Sequence, residues 1–452
     1  MPSKQAVCLL NDSFPPVIDG VANAVKNYAQ VMQGSDYAPV VITPSHPEEE
    51  DSAFSFPVIR YPSMDFRKMT GYMAGIPFSP EIAKRLDGTD VALLHSHCPI
   101  MSTVLARELR QIVDAPLVLT YHTKFDIDIA NILKSKALQA GSKHALLQNI
   151  NACDEVWAVS QGAVDNLRSL GYEGECVVMP NGVDLPRGRV SWDAVFQATK
   201  DYDLPDGVPV FLFVGRMMWY KGLKIIADGL MQLRGSGQDF RMVFIGSGAD
   251  AREVQDYCGE IGIGDKCIFP GAIRDREVLR SWYCRADLFL FPSTFDTNGL
   301  VVREAAACSL GSVLIRGSCA AEGVTDGRNG LLIEETADSL CACLRTVLSQ
   351  PGKMASLGRA AAEELYVSWE EAVGRALERY QIVIDRYRSG GYPIRREPVD
   401  NLLSANGNLM EDLANFQLLR EERRRNFREK HAGRLSEIKD KIISLTRQDD
   451  KL

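Results

Sequence analysis

A chain of 452 residues has room for two α/β domains, each with its own core, and 46% hydrophobic with 24% charged residues excludes a disordered or fibrous protein. A formal net charge of −8 argues against a nucleic-acid partner. Eleven scattered cysteines, without a Cys-x-x-Cys pair or zinc spacing, suit a reducing cytosol rather than a disulfide framework.

Met1 to Gln5 leads straight into an apolar run, Ala6 to Leu10, so no leader peptide is expected. No stretch reaches the roughly 20 apolar residues of a spanning helix. The expected location is cytoplasmic, with any membrane met from its inner face. Strands are predicted at Val7 to Leu10, Pro39 to Thr43, Val91 to Leu94, Leu117 to Thr120, Glu155 to Val159 and Cys176 to Met179. Between them, stretches such as Asn23 to Gln33 and Ile100 to Val113 have helical periodicity. A polar joint follows at Asp201 to Gly207. The pattern restarts with Val210 to Val214, Arg241 to Ile245, Lys266 to Pro270, Leu288 to Phe291 and Gly311 to Ile315. Alternating strand and helix predicts two doubly wound, Rossmann-like α/β domains facing across a cleft, over residues 1–200 and 205–365. Tyr366 to Tyr387 reads as a helix. From about Pro398 the character changes: Asn401 to Gly407 reads as a linker and Glu411 to Leu445 as a long charged helix. This tail, 398–452, reads as a solvated helix that packs on the body or pairs with a second copy.

Asp296 and Glu304 bracket the turn between the strand ending at Phe291 and a helix over Val301 to Cys308. Such turns bind ligands in α/β sheets. Eight helical steps span at most roughly 12 Å, near the separation of a sugar ring from a ribose across a diphosphate. The amides of Asn298, Gly299 and Leu300 start the helix, and free N–H groups there favour anions. Upstream, Val214-Gly215-Arg216-Met217-Met218-Trp219-Tyr220-Lys221-Gly222 follows a strand. Gly215 permits a close turn, and the cations of Arg216 and Lys221 suit a pyrophosphate.

These two segments, in this order and spacing, resemble the donor-binding half of the retaining glycosyltransferases of family four, which have the two-domain GT-B fold. Thr120-Tyr121-His122-Thr123, Ala158-Val159-Ser160, Pro180-Asn181-Gly182-Val183-Asp184, Ile245-Gly246-Ser247-Gly248 and Asp326-Gly327-Arg328-Asn329-Gly330 extend the resemblance over Val7 to Tyr387. It implies transfer of a hexose from a nucleotide diphosphate sugar, such as UDP-glucose, with retention at the anomeric carbon. Arg216 and Lys221 would stabilise the leaving diphosphate, Asp296 would orient the sugar and Glu304 would hold the ribose. With that charge supplied by the protein, no metal or other cofactor is expected. Asp126-Ile127-Asp128 and Asp201-Tyr202-Asp203 match only a loose metal-binding pattern. His122 corresponds to the family's cleft histidine. His97 and Asp19 are assigned to the acceptor side, His97 with a structural alternative. Gly20 would let the backbone approach donor or acceptor. The helix over 366–390 would cross back to the first domain.

Two departures leave the donor sugar open: aspartate at 296, where glutamate is commonest, and Asp19-Gly20 where many members carry paired glycines. The Asp19-Gly20-Val21 and His122 segments look most like the branch that glycosylates membrane lipids such as diacylglycerol. Arg60 to Met69, extended by Gly71 to Pro77, mixes cations with apolar side chains, as does a surface that meets an anionic membrane. Lys134, Lys136, Lys143 and His144 add basic residues. The alternatives are a cytosolic enzyme acting on soluble or polysaccharide-precursor acceptors, and a non-catalytic nucleotide-sugar-binding subunit.

Overall fold

A computed structural model describes residues 4–17, 19–67, 71–77, 80–125, 129, 135–296 and 299–393. The charged tail, Asn298, Lys134 and the Asp126-Ile127-Asp128 triplet lie outside the described residues. The first lobe contains strands β1 (Gln5–Leu10), β2 (Tyr37–Pro44), β3 (Val58–Tyr61), β4 (Ser63–Asp65), β5 (Met73–Gly75), β6 (Val91–Ser96), β7 (Leu117–Tyr121), β8 (Glu155–Ala158) and β9 (Cys176–Val178). Seven of them form a parallel sheet in the order β3-β2-β1-β6-β7-β8-β9, while β4 and β5 make a small antiparallel pair. Its helices are α1 (Gly20–Met32), α2 (Pro80–Leu86), α3 (Met101–Val113), α4 (Lys136–Asn151) and α5 (Gln161–Ser169). The connecting helix α6 (Trp192–Thr199) leads into the second lobe.

The second lobe repeats the pattern with β10 (Val210–Val214), β11 (Arg241–Ile245), β12 (Cys267–Gly271), β13 (Leu288–Phe291), β14 (Ser312–Ile315) and β15 (Leu331–Ile333). These run parallel in the order β12-β11-β10-β13-β14-β15. Helices α7 (Leu223–Gly235), α8 (Ala251–Glu260), α9 (Arg276–Arg285), α10 (Leu300–Ala307), α11 (Ala337–Leu348) and α12 (Lys353–Glu364) cover it. The strands are apolar almost throughout because helices cover both faces; all five residues of β10 and all four of β13 are buried. In each sheet the chain order reverses direction beside the first strand, at β1/β6 and at β10/β13. Loops at those two places face a crevice suited to ligands.

The last helix, α13 (Trp369–Arg388), returns to the first lobe. Ser368 caps it by accepting from the Glu371 amide at 3.1 Å. Its buried face, including Trp369, Val373 and Tyr380, packs with Val7, Leu9, Tyr28 and Trp157. The Tyr380 and Trp157 rings stack at 5.4 Å. The lobes also touch directly: the amide of Gln161, at the start of α5, donates to the Glu322 carboxylate at 2.8 Å.

Two sequence expectations need correction. Leu185 and Val195 belong to the core of the second lobe, and α6 packs against α9. The chain therefore leaves the first lobe before residue 190, and the polar joint at Asp201 to Gly207 lies inside the second lobe. Asp203 is held there by Arg241 at 2.6 Å. Arg60 is also no membrane-facing cation. It lies in β3 with an 8% exposed side chain, donates to Asp51 at 2.7 Å and to the Pro15 and Pro44 carbonyls, and covers the Phe14 ring. Its neighbour Tyr61 is buried too. Met64, Phe66 and Tyr72 remain exposed in this region.

Candidate active site

The second-lobe part of the site is built from the loops after adjacent strands β10 and β13. After β10, the Gly215 amide donates to the Ile245 carbonyl at 3.0 Å, and Met217 to Ser247 at 2.9 Å. Cβ atoms on Gly246 or Gly248 would collide with the carbonyls of Gly215 and Met217, so these glycines let two loops pack backbone to backbone. A short 3₁₀ turn, Trp219–Lys221, follows and ends at Gly222 in the left-handed region, φ 77°. A Cβ on Gly222 would run into the Pro292 carbonyl. That close approach brings Lys221 against the loop after β13.

Lys221 is 6% exposed, and its Nζ donates to Asp296 Oδ1 at 2.6 Å. Buried Ser293 donates to the other oxygen, Oδ2, at 2.6 Å. The Phe295 and Tyr220 rings pack at 4.6 Å and flank the ammonium, 5.4 and 5.7 Å from Nζ. Gly299, at φ 57°, caps α10, and a Cβ there would sit 2.9 Å from Ala320 Cα. Leu300 opens α10, whose first amides have no intrahelical acceptor. Arg216 is exposed, with no hydrogen-bonded side-chain partner among the described residues.

Glu304 lies one turn into α10. Its Oε2 accepts from buried Tyr283 at 3.0 Å, and its Oε1 from Arg276 Nη2 at 2.7 Å. Sequence reasoning missed these partners, together with Ser293. The available signal was position: Arg276 opens a helix that follows a strand, the same placement that singled out Glu304.

Across the cleft, Asp19 spends its carboxylate locally. Oδ1 accepts from the Val21 and Ala22 amides at 2.8 and 2.7 Å, capping α1, and Oδ2 accepts from Ser13 at 2.6 Å. Gly20 opens α1, and a Cβ there would meet nothing within 4 Å. Internal packing therefore does not demand glycine at this position. His122 directly follows β7 and is 5% exposed. Its Nε2 is 3.0 Å from His97 Nδ1 and its Nδ1 is 3.5 Å from Asn181 Nδ2. His97 is 1% exposed and lies between the rings of His95 and His122, at 4.0 and 5.3 Å. It supports His122 from within, and its Nε2 is buried with no hydrogen-bond partner among the described residues. His95 is fixed by Tyr380 at 2.6 Å and Thr120 at 2.7 Å.

Residues 18–187 match the family model named Glycosyltransferase Family 4, and residues 196–364 match the model named Glycosyl transferases group 1. The chain belongs to the family-four glycosyltransferases. A GDP-mannose-dependent alpha-mannosyltransferase of Corynebacterium glutamicum is 25% identical to this glycosyltransferase over 393 residues, 84% of this chain and 89% of the relative. An alpha-monoglucosyldiacylglycerol synthase of Acholeplasma laidlawii is 24% identical over 342 residues, 73% and 85% of the two chains. Sucrose-phosphate synthase from Thermosynechococcus elongatus superposes with a TM-score of 0.68 at 21% identity, covering 84% of this chain and 99% of that one. Anabaena HepE in complex with UDP gives 0.69 at 16% identity, covering 84% and 100%. Both superpositions show the two-domain GT-B fold.

The histidine cluster gives the glycosyltransferase a specific pH response. Burial holds all three imidazoles neutral, with His122 lowered to about 3. An unfolded histidine titrates near 6.5, so between these values the unfolded chain binds more protons and stability rises with pH. The contribution is complete above about 6.5 and is lost as pH falls toward 3. From pH 7.5 to 5, one such histidine costs about 2 kcal/mol. Urea unfolding at both pH values should therefore show a loss that is smaller by about this amount in His122→Asn than in the unsubstituted protein. An equal loss in both would mean that His122 is charged in the folded state.

Proposed function

We propose that this glycosyltransferase moves a hexose from a nucleotide diphosphate sugar to a membrane lipid such as diacylglycerol, with retention and without a divalent metal. The observation that carries the donor side is the contact of Lys221 with Asp296 beside the start of α10. It puts a cation, helix-start amides and a carboxylate together, as a leaving phosphate and its departing sugar require. The diphosphate gains negative charge as the glycosidic bond lengthens. Lys221, Arg216 and the Gly299 and Leu300 amides stabilise it electrostatically, and aimed donors of this kind supply the largest part of many rate enhancements. Asp296 orients the hexose, Glu304 receives the ribose hydroxyls, and Gly20 leaves room for the donor at the start of α1. His122 contacts the sugar as a neutral hydrogen-bonding group. The acceptor hydroxyl attacks on the face from which the phosphate leaves, and that phosphate takes its proton.

The lipid acceptor is supported by the diacylglycerol-glycosylating relative and by exposed Met64, Phe66 and Tyr72, with exposed Lys136 and His144 on α4. On this reading the enzyme is cytoplasmic and peripheral on an anionic inner membrane face. A soluble acceptor is the second reading. It is favoured by 27% identity over 319 residues, 65% of this chain and 71% of the relative, to a D-inositol 3-phosphate glycosyltransferase of Arthrobacter sp..

The test is mass spectrometry of lipids after incubation with diacylglycerol-containing anionic vesicles and a pool of UDP- and GDP-sugars, with chelator present. A new hexosyl-lipid is the expected product. Free nucleotide without a new lipid would move the acceptor to a soluble molecule. Activity that appeared only with added divalent metal would overturn metal independence.

A further inference from the structure

We propose that Arg276 passes donor occupancy to the first lobe by exchanging its carboxylate partner from Glu304 to Asp184. This rests on the reading that Glu304 receives the ribose hydroxyls.

One nitrogen, Arg276 Nη2, lies 2.7 Å from Glu304 Oε1 and 3.9 Å from Asp184 Oδ2. The first distance is a charge-assisted hydrogen bond, and the second is just beyond one. The two carboxylates belong to different bodies. Glu304 is in α10 of the second lobe, with Oε2 fixed by buried Tyr283. Asp184 is fastened to the first lobe and its returning helix. Its Oδ1 accepts from Asn27 at 3.0 Å and Trp369 Nε1 at 2.7 Å, and its Oδ2 accepts from Asn23 at 2.7 Å. An ionised carboxylate oxygen has about two acceptor sites, so Oδ2 retains one for Arg276.

A ribose diol that brings its two O–H donors to Glu304 takes the second acceptor site of each oxygen and must share Oε1 with Arg276, and crowding at that oxygen loosens the guanidinium. The guanidinium, 43% exposed and always charged, then turns to Asp184, the other carboxylate within 4 Å. Closing that gap draws the start of α9 toward the group that anchors Asn23 and Asn27 of α1. The same helix begins at Gly20, on the cleft. Filling the ribose position is thereby felt at the opposite wall. Arg276 is a positioning residue in this scheme, because it acts through two carboxylates.

Hydrogen–deuterium exchange of the full chain, with and without UDP or GDP, tests the exchange of partners. Nucleotide is expected to slow exchange over residues 20–32 in the unsubstituted protein. In Arg276→Gln the nucleotide should still bind, but the protection of 20–32 should vanish and kcat should fall about tenfold, within the usual range of coupling between sites. Arg276→Lys, which keeps the charge, should restore part of both. Full protection of 20–32 in nucleotide-bound Arg276→Gln would overturn the proposal while leaving the ribose assignment standing. Unchanged nucleotide affinity in Glu304→Gln would overturn the ribose assignment and this proposal with it.

Discussion

Lys221→Ala is expected to lower kcat by about 10²–10³-fold, the loss typical of removing one aimed electrostatic donor. The side chain does two jobs that alanine cannot. It neutralises Asp296 at 2.6 Å in a place where only 7% of its side-chain surface meets water. On the proposed function it also supplies a cation for the leaving diphosphate. The aromatic faces of Tyr220, Phe291 and Phe295, all within 6.0 Å of Nζ, strengthen both by lowering the local polarity. Arginine should rescue little. Its planar fork is larger, and the loop is pinned by the approach of Gly222 to the Pro292 carbonyl. Steady-state rates at saturating donor, with thermal unfolding as a check on folding, measure this. A near-normal rate for Lys221→Ala would move the leaving group away from this loop.

Glu304→Ala is expected to weaken nucleotide binding by about 10²-fold, since hydrogen bonds to a charged group contribute roughly 1.5–3 kcal/mol each. Titration calorimetry with ribo- and 2′-deoxyribonucleoside diphosphates separates recognition from damage. The unsubstituted protein should prefer the ribonucleotide, and the variant should bind both alike. A preserved preference would take the ribose away from Glu304. The substitution also strands the buried Tyr283 hydroxyl and removes the partner of Arg276 at 2.7 Å. A drop in stability of about 1–3 kcal/mol should accompany the loss of affinity.

Much of the architecture was legible because strands covered on both faces appear as unbroken apolar runs. Val210 to Val214 and Leu288 to Phe291 match β10 and β13 to the residue. Short elements were harder. Arg60 and Tyr61, the end of Val58–Tyr61, suggest part of a membrane-facing surface in the sequence, whereas the Arg60 charge is neutralised internally by Asp51. Leu331–Ile333, with three residues, gives too little periodicity to find. The point where the chain changes lobes was placed too late. Polarity marks a solvent-exposed joint, but packing decides ownership, and Val195 packs in the second core. In the site, residue types that carry charge at strand ends were visible. Their partners were not: Lys221 meets Asp296 through the adjacency of β10 and β13 and a glycine-enabled loop contact, while Arg276 at the start of α9 meets Glu304 in α10 although β12 and β13 are not neighbours, and neither arrangement leaves a mark in local sequence. Asp184 was visible in the Pro180 to Asp184 motif, while its anchoring by Asn23, Asn27 and Trp369 depends on helices far apart in the chain.

The return of α13 to the first lobe constrains the order in which the protein can be made. Val7, Leu9, Tyr28 and Trp157 share a core with Trp369, Val373 and Tyr380. Translation delivers the N-terminal part first, at about 5–20 residues per second. While the second lobe is still emerging from the ribosome, the first has its sheet but lacks this cover. Burying a large apolar side chain contributes about 1.5–3 kcal/mol, so several such side chains wait together for their stabilisation. The nascent first lobe therefore presents a sticky apolar groove for many seconds, a natural client site for a ribosome-associated chaperone. The second lobe has nearly all of its core from residues 185–357, so the half made later can be the first to finish folding.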